Sequence, residues 1–418
     1  MKLTRFRSGT RPSVRGLSAP VAAVAALSLL AACGSTAAEN RSGGGGGDDS
    51  PYQVGVVTSM TGPLAEVGNH WLNGFEAGLD YLTDGTMEID GRKIELIKGD
   101  DTGDAAVGTT VATDAISKGA KILAGPATST VGVPVADLAV QNDVLFIAGG
   151  MGSTDLVGMD KRVFLTNGNS PAGTMVYKTI VGDASGKSIV SINQDYAFGQ
   201  TQAASMKTLF EPLGAKVDSV LLPVDTVDFS AAAANIKKRD ADFVQTTWIG
   251  PGQEQLYTAL ASQQALTDST FFTTLFESAT WPGIVKALGS DLASSKFAIM
   301  YYPGLTDNEK DQALQTYTED AGGEVEFSDG IGWSSAEMLV QALSEGDYDN
   351  TESMAEALQG YSWEGPQGEV EIRAEDNQVI VPYFIVSLEK QSDGSAGLKL
   401  DQAVPASELV PEVVRELP

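Results

Sequence analysis

The chain has 418 residues, with 55 acidic side chains against 27 basic ones and a formal net charge of −28. A chain this acidic is repelled by phosphate groups, which argues against nucleic acid or anionic lipid as a partner. The length is sufficient for two domains of ordinary size.

Residues 1–32 have the features of a lipoprotein signal peptide. Five basic residues precede a largely apolar stretch over residues 17–30, which is short for a transmembrane helix, and no acidic residue occurs before Glu39. The stretch ends in Leu-Ala-Ala-Cys-Gly, which resembles the lipobox of bacterial lipoproteins, and Cys33 is the only cysteine of the chain. We therefore expect cleavage before Cys33, whose lipid would anchor the protein at the extracytoplasmic face of the cell membrane.

Residues 33–51 are predicted to be a flexible tether. They consist mainly of Gly, Ser, Ala, Asn and Asp, and residues 43–47 are five consecutive glycines. Such a segment buries too little apolar surface to fold. The folded part is therefore expected to begin at residue 52, near a membrane surface but not inserted in it.

Strands and helices alternate through the first part of the folded region. Short apolar runs bounded by Gly, Pro or Asp are typical of strands buried on both faces of a parallel sheet. The sequence predicts such strands, with amphipathic helices between them, over residues 52–59, 93–98, 122–124, 144–148 and 163–165. This alternation predicts a parallel sheet covered by helices.

Residues 122–153 form the most informative unit, a strand, helix and strand with a Gly-rich polar loop after each strand. Thr128, Ser129 and Thr130 offer hydroxyl groups that can cap the helix. Ligands of open parallel sheets bind at the carboxyl ends of the strands, and a helix start with free N–H groups suits a carboxylate. An ordinary capped turn is the alternative interpretation.

The same pattern begins again after residue 171. Strands separated by helices are predicted over residues 188–193, 216–222, 242–247 and 270–275. The fold class is therefore α/β, with two doubly wound parallel-sheet lobes and a cleft between them.

A series of short motifs runs through the folded region. In chain order they are TGPLA at residues 61–65, Gly68, NG at 73–74, DD at 100–101, AGPATS at 124–129, DYAFG at 195–199 and GPQG at 365–368. In order and spacing, behind a lipobox, they resemble the leucine/isoleucine/valine-binding proteins, which are type I periplasmic-type solute-binding proteins of ABC transporters.

The resemblance implies a chain that crosses between the lobes three times, so that the crossings form a three-strand hinge. Lobe 1 would comprise residues 52–168 and 303–377, and lobe 2 residues 169–302 and 378–418. Such a hinge permits the lobes to close on a ligand.

The resemblance also implies the ligand contacts. In the family, N–H and hydroxyl groups of two loops hold the ligand carboxylate, and the matching residues here are Ala127, Thr128, Ser129, Met151, Gly152 and Ser153. The other lobe supplies aromatic contacts and an acid that pairs with the ligand ammonium, which match Tyr196, Phe198, Trp248 and Glu277. The alternatives are a core position for Phe198, a cap on the sheet for Trp248 and a solvated acid for Glu277.

The ligand class is left open by two departures from the amino-acid-binding members. Val67 stands where close relatives carry an aromatic residue, and Met151 replaces a small residue. A branched-chain amino acid is therefore the default, beside other amino acids and related small carboxylates or amides. The implied function is capture of this ligand by hinge closure and its delivery to ABC permease subunits, by a monomer without a cofactor. A lipoprotein that reports its ligand to a membrane sensor is the alternative.

Enzymatic motifs are missing from the sequence. His70 is the only histidine, and neither G-x-S-x-G nor G-x-x-x-x-G-K occurs. Asp100, Asp101 and Asp104 lie in a Gly-containing turn, where helix capping is a better interpretation than metal binding. We therefore expect no catalytic residue and no metal site, and an extracellular hydrolase is the least favoured function.

Overall fold

The computed structural model of the chain describes residues 50–392, 395–413 and 415–418. The expected signal peptide and Cys33 lie outside the described residues, as does nearly all of the expected tether. Within the described ranges, no helix is both long enough and apolar enough to cross a membrane.

The first sheet has six strands in the order β2-β3-β1-β4-β5-β6. All neighbours are parallel except β2 and β3, and Val54 at the centre lies opposite Leu96 on one side and Ile122 on the other. The strands are β1 (Tyr52–Thr58), β2 (Glu88–Ile89), β3 (Arg92–Asp100), β4 (Ile122–Ala124), β5 (Leu145–Ile147) and β6 (Val163–Phe164).

Helices from two separate parts of the chain cover this sheet, most of them directly and α10 by packing on α1. The first group is α1 (Ala65–Leu82), α2 (Ala105–Ser117) and α3 (Ser129–Gln141), and the second is α10 (Glu309–Asp320), α11 (Phe327–Glu345) and α12 (Thr351–Leu358). Asp104 caps α2, because its carboxylate accepts the N–H groups of Ala106 and Val107 at 2.8 and 3.0 Å. The capping interpretation is therefore confirmed for Asp104.

The second sheet has seven strands in the order β16-β15-β11-β10-β9-β7-β8. The strands are β7 (Ser188–Gln194), β8 (Lys216–Leu222), β9 (Phe243–Thr247), β10 (Thr270–Thr274), β11 (Lys296–Ile299), β15 (Tyr383–Lys390) and β16 (Ala396–Val404). The connecting helices are α4 (Ser170–Met175), α5 (Tyr177–Val181), α6 (Ala197–Phe210), α7 (Ser230–Lys237), α8 (Gln253–Ser262) and α9 (Trp281–Leu288). The predicted α/β class with two sheets is confirmed.

The sheets are mixed, whereas the sequence predicted parallel ones. Strands β15 and β16 form an antiparallel edge on the second sheet. A third sheet, wholly antiparallel, is formed by β12 (Ser362–Gly365), β13 (Gly368–Arg373) and β14 (Gln378–Ile380). We call the first and third sheets, with α1–α3 and α10–α12, the first lobe, and the second sheet, with α4–α9, the second lobe.

The end of the chain departs from the expected division into lobes. Residues 378–418 were all expected in the second lobe, but β14 belongs to the third sheet and the segment after β16 returns to the first lobe. The guanidinium of Arg415 donates to the carbonyl oxygen of Val157 at 3.0 and 2.8 Å, and the N–H of Leu417 donates to that of Glu375 at 3.0 Å. These hydrogen bonds pair two carbonyl oxygens of the first lobe with donors from the end of the chain. The pattern of strands in the sequence does not predict this contact.

Helices α1 and α11 approach each other closely because glycines face their contact. A Cβ atom on Gly74 would lie 1.9 Å from the carbonyl oxygen of Asp329, and one on Gly332 would lie 2.0 Å from that of Trp71. These neighbours are backbone atoms, which cannot rotate away as a side chain can. The contact therefore fixes Asp329 relative to α1.

Gly74→Ala should lower the free energy of unfolding by about 1 to 3 kcal/mol, because the two helix backbones must separate to admit the methyl group. Urea denaturation measures this loss. Gly283→Ala in α9 is the control, since the nearest atom to its Cβ is a flexible Glu254 carboxylate oxygen at 3.3 Å. Equal stability of the two variants would show that the α1–α11 contact adapts.

Candidate ligand-binding site between the lobes

A cavity of about 460 Å³ lies between the two lobes. It is lined by loops that follow strands of both sheets and by the segments that connect the lobes. Of the ten residues proposed as ligand contacts, seven line it: Ala127, Thr128, Ser129, Gly152, Tyr196, Phe198 and Glu277.

The first lobe presents the start of α3 to the cavity. Thr128 is the N-cap residue, with an extended backbone and a hydroxyl that accepts the N–H of Thr130 at 3.2 Å. Ser129 is 4% exposed, and as the first helical residue it has an N–H without an intrahelical acceptor. The positive end of the helix dipole and this N–H favour an anion at this point.

The second loop of the first lobe contributes Gly150 and, of its three predicted ligand contacts, only Gly152. Its carbonyl oxygen accepts the N–H and hydroxyl of Ser170 at 2.9 and 3.0 Å, and a Cβ here would lie 2.3 Å from the Phe198 ring. Phe198 of the second lobe therefore packs directly on Gly152. Its predicted place at the ligand site is compatible with this contact.

Met151 and Ser153 do not line the cavity, contrary to expectation. The Met151 sulfur packs into the core against Gly132 of α3, where a Cβ would lie 1.7 Å from it. The Ser153 hydroxyl accepts the N–H of Asp155 at 3.2 Å and caps a short 3-10 helix. Both side chains therefore have structural roles.

The second lobe presents the start of α6, where Tyr196 is the N-cap residue and stands edge-to-face with Phe198 at 6.1 Å. Burial raises the pKa of Tyr196, so its hydroxyl stays protonated. Trp248 is fully buried, donates to the carbonyl oxygen of Pro251 at 2.9 Å and packs on Phe229. The expected contact of Trp248 with a ligand is therefore replaced by a place in the core, and its neighbour Ile249 lines the cavity.

Glu277 follows β10 and is 3% exposed. One carboxylate oxygen, Oε1, accepts the hydroxyl of Ser328 from the first lobe, and the other, Oε2, has no hydrogen-bond partner within the described ranges. Burial raises the pKa of Glu277 to about 8, although the Ser328 hydroxyl and the positive charge of His70 act against this rise. The alternative of a solvated acid is therefore wrong, and Oε2 can accept a donor that a ligand supplies.

Several lining residues escaped the sequence analysis. The connection after β6 contributes Asn167, which is 7% exposed and whose Oδ1 has no partner in the described chain. The signal was available, because an Asn-Gly-Asn run begins two residues after the end of the strand predicted over residues 163–165. The remaining missed lining residues include Gln194, Gln202, Thr274, Met300, Phe327, Ser328 and Tyr383.

His70 lies beside an acidic group of residues at the edge of the cavity. Its Nδ1 is 2.8 Å from Oδ2 of Asp329, a residue with no exposed surface. Burial alone would lower the pKa of His70, but the hydrogen bond to Asp329 and the charges of Asp329, Glu277 and Glu326 raise it to about 9. The imidazolium is therefore stabilised chiefly by Asp329, the carboxylate that it contacts.

No set of three or more His, Cys, Asp or Glu side chains in the described part of the chain is arranged to hold a metal ion. The polar groups of the cavity instead suit a small organic ligand: a helix start for an anion, and two buried oxygens, Asn167 Oδ1 and Glu277 Oε2, without a partner in the described chain.

Known proteins resemble the chain in sequence and in fold. A family model described as periplasmic binding protein matches residues 51–395. The chain is similar to the Leu/Ile/Val-binding protein BraC3 of Rhizobium johnstonii, with 27% identity over 195 residues, 46% of this chain and 53% of that relative. The chain thus spans about half the length of that relative.

Two solved structures share the fold. The leucine-, isoleucine-, valine-, threonine- and alanine-binding protein of Brucella ovis in its closed conformation has a TM-score of 0.75 at 21% identity, covering 88% of this chain and 100% of that one. A Rhodopseudomonas palustris solute-binding protein in complex with 4-hydroxybenzoate has a TM-score of 0.74 at 19% identity, covering 87% and 97%. The predicted type I periplasmic binding protein fold is confirmed.

The raised pKa of His70 predicts a pH-dependent stability. The folded-state value of about 9 exceeds the ordinary 6.5, so the stabilisation is complete below pH 6.5 and is lost as the pH rises through 9. His70→Gln should therefore cost about 1 to 3 kcal/mol at pH 6 and much less at pH 9.5. Urea unfolding of both proteins at the two pH values measures the difference. A cost that does not change with pH would mean that His70 contributes packing and not charge.

Proposed function

The chain belongs to the periplasmic binding protein family, and on this premise we propose that it is an extracytoplasmic solute-binding lipoprotein of an ABC importer. It captures a small ligand with a carboxylate in the cavity between the lobes. The leading ligand class is an α-amino acid, with a branched-chain amino acid as the first example to test.

The observation that carries this ligand class is the state of Glu277. A carboxyl that is 97% buried and has an oxygen without a partner is costly unless it stays protonated or meets a cation. An α-ammonium group supplies the cation and several N–H donors. The carboxylate of the same ligand then meets the helix start at Thr128 and Ser129, on the other lobe.

An aromatic carboxylate is the second ligand class, and the same residue supports it. With a pKa of about 8, Glu277 keeps its proton at neutral pH in the unliganded cavity and can donate a hydrogen bond to an uncharged oxygen. A hydroxybenzoate has a carboxylate and a hydroxyl but no cation. The 4-hydroxybenzoate complex of a protein with the same fold makes this class worth testing.

Capture proceeds by closure of the two lobes about their connecting segments. The ligand bridges groups of both lobes, and it shifts the population to the closed form by the difference of its affinity for the two forms. Closure removes water, which strengthens each charge interaction with the ligand. Delivery to a permease is the role proposed for the closed form, and reporting to a membrane sensor is the alternative.

A thermal-shift screen of amino acids and benzoates identifies the ligand, because a ligand that binds only the folded state raises the midpoint. Glu277→Gln should then lower the affinity for an α-amino acid at least about 30-fold, since the buried ammonium loses its charged partner. Affinity for a plain carboxylate should be equal or improved. Titration calorimetry measures both.

Glu319→Gln is the matched control, because Glu319 is an exposed acid of α10. Its affinity for either ligand should equal that of the parent. If an amino acid binds Glu277→Gln within about threefold of the parent, Glu277 does not hold the ammonium and the amino-acid proposal fails.

Cys33→Ser should release the protein from the membrane fraction and leave ligand affinity unchanged. The basis is the lipobox and the Gly-rich tether between Cys33 and the folded part. Fractionation of cells with a carbonate and salt wash, followed by immunoblotting, shows where the protein is. Retention of the variant in the washed membranes would contradict the lipid anchor.

A further inference from the structure

Two three-residue segments from opposite lobes pair at the edge of the cavity. Residues 276–278 follow β10 in the second lobe, and residues 326–328 begin α11 in the first. The rings of Phe276 and Phe327 stand edge-to-face with centroids 5.4 Å apart. Polar contacts join the remaining residues, so the pairing is continuous across the cleft.

Glu326 makes two of these polar contacts. Its Oε2 accepts the backbone N–H of Ser278 at 2.7 Å, and its Oε1 accepts the Ser278 hydroxyl. Hydrogen bonds to a charged acceptor are about twice as strong as neutral ones, and Glu326 is only 7% exposed, so water competes little for them. One carboxylate thus binds two donors of the other lobe.

The first lobe holds Glu326 in position. The N–H of Glu326 donates to Oδ2 of Asp329 at 2.7 Å, and the same oxygen lies 2.8 Å from Nδ1 of His70. The charge of His70 also offsets the repulsion between Glu326 and Asp329. Glu326 is therefore fixed to both α1 and α11 before it meets Ser278.

Neither Glu326 nor Ser278 lines the cavity, but Glu277 does. Because Glu277 and Ser278 are consecutive, the bond to Glu326 fixes the backbone beside the acid that faces the ligand. Ser328, two residues after Glu326, orients the Glu277 carboxylate through Oε1. The pairing thus connects closure of the lobes to the position of Glu277.

We propose that Glu326 and Ser278 form an interlobe latch that keeps the lobes together without a ligand, positions Glu277 and slows ligand release. Glu326 is a positioning residue, since it acts through Ser278 and Glu277. The latch itself is independent of the ligand class, whereas its effect on release rests on the proposed function.

Distance measurements on the ligand-free protein test the latch directly. Spin labels on Glu66→Cys in the first lobe and Val227→Cys in the second sit on exposed positions, and the lipidated Cys33 is the only other cysteine. Pulsed electron resonance on the full-length protein in detergent should give one short, narrow distance for the parent. Glu326→Ala should broaden the distribution toward longer distances.

Three further variants make the result specific. Glu326→Gln keeps one oxygen acceptor and the side-chain shape, and Ser278→Ala keeps the backbone N–H, so each should give a distribution between those of the parent and Glu326→Ala. Glu324→Gln removes an exposed acid two residues away and should leave the distribution unchanged. If the folded Glu326→Gln and Ser278→Ala proteins both retain the parental distance, the latch does not exist.

Release rates connect the latch to binding. With L-leucine and 4-hydroxybenzoate as probes, Glu326→Gln should raise the dissociation rate roughly 10-fold and change the association rate by less than about threefold. If the distance measurement shows that the lobes of Glu326→Gln have opened but the dissociation rate of a bound probe is unchanged, the proposed effect on release is wrong. Should neither probe bind the parent, L-leucine and 4-hydroxybenzoate are excluded as its ligands, while the distance measurement still decides the latch.

Discussion

The carboxyl group of Glu277 is buried where the two lobes meet, so its hydrogen bonds with water have to be replaced by hydrogen bonds with the protein or with a ligand. The Ser328 hydroxyl supplies one such hydrogen bond at Oε1, whereas Oε2 has no hydrogen-bond partner within the described chain. The site is consequently incomplete in the protein alone. A buried polar atom without a partner raises the free energy of the folded protein. A ligand that forms a hydrogen bond with Oε2 removes this cost, which favours its binding.

This constraint extends outward through three layers of contacts. Glu277 depends on the interlobe pairing, which depends on Glu326. Glu326 depends on Asp329 and His70, and Asp329 is placed by the close approach of α1 and α11 at Gly74. A methyl group on a helix glycine and a charge change on a histidine therefore act on the same site, although neither Gly74 nor His70 lines the cavity.

The sequence was informative where a pattern is local. Apolar runs predicted β1, β3, β4 and β5, and the hydroxyl cluster at Thr128 predicted a capped helix at a cavity. The sequence was less informative about the direction in which a loop side chain points. Met151, Ser153 and Trp248 lie in the expected loops but point away from the cavity. Their partners are Gly132, Asp155 and Phe229, respectively. The antiparallel strands β12 and β16 are short or edge strands without a buried apolar run, so they gave no signal. Strand β13 alternates buried Val370 and Ile372 with exposed glutamates, a strand pattern that went unassigned. Ser278 and Glu326 are 48 residues apart, and only the fold brings them together.

The protonation of Glu277 also separates the two ligand classes thermodynamically. With a pKa of about 8, the acid holds its proton at neutral pH in the empty cavity. An α-ammonium favours the charged carboxylate, so its binding must drive that proton out and becomes more favourable as the pH rises toward 8. A hydroxybenzoate accepts a hydrogen bond from the protonated acid and has no such requirement, so its binding weakens over the same range. One buried carboxyl can thus receive either kind of ligand, and the charge it adopts follows from the ligand it meets.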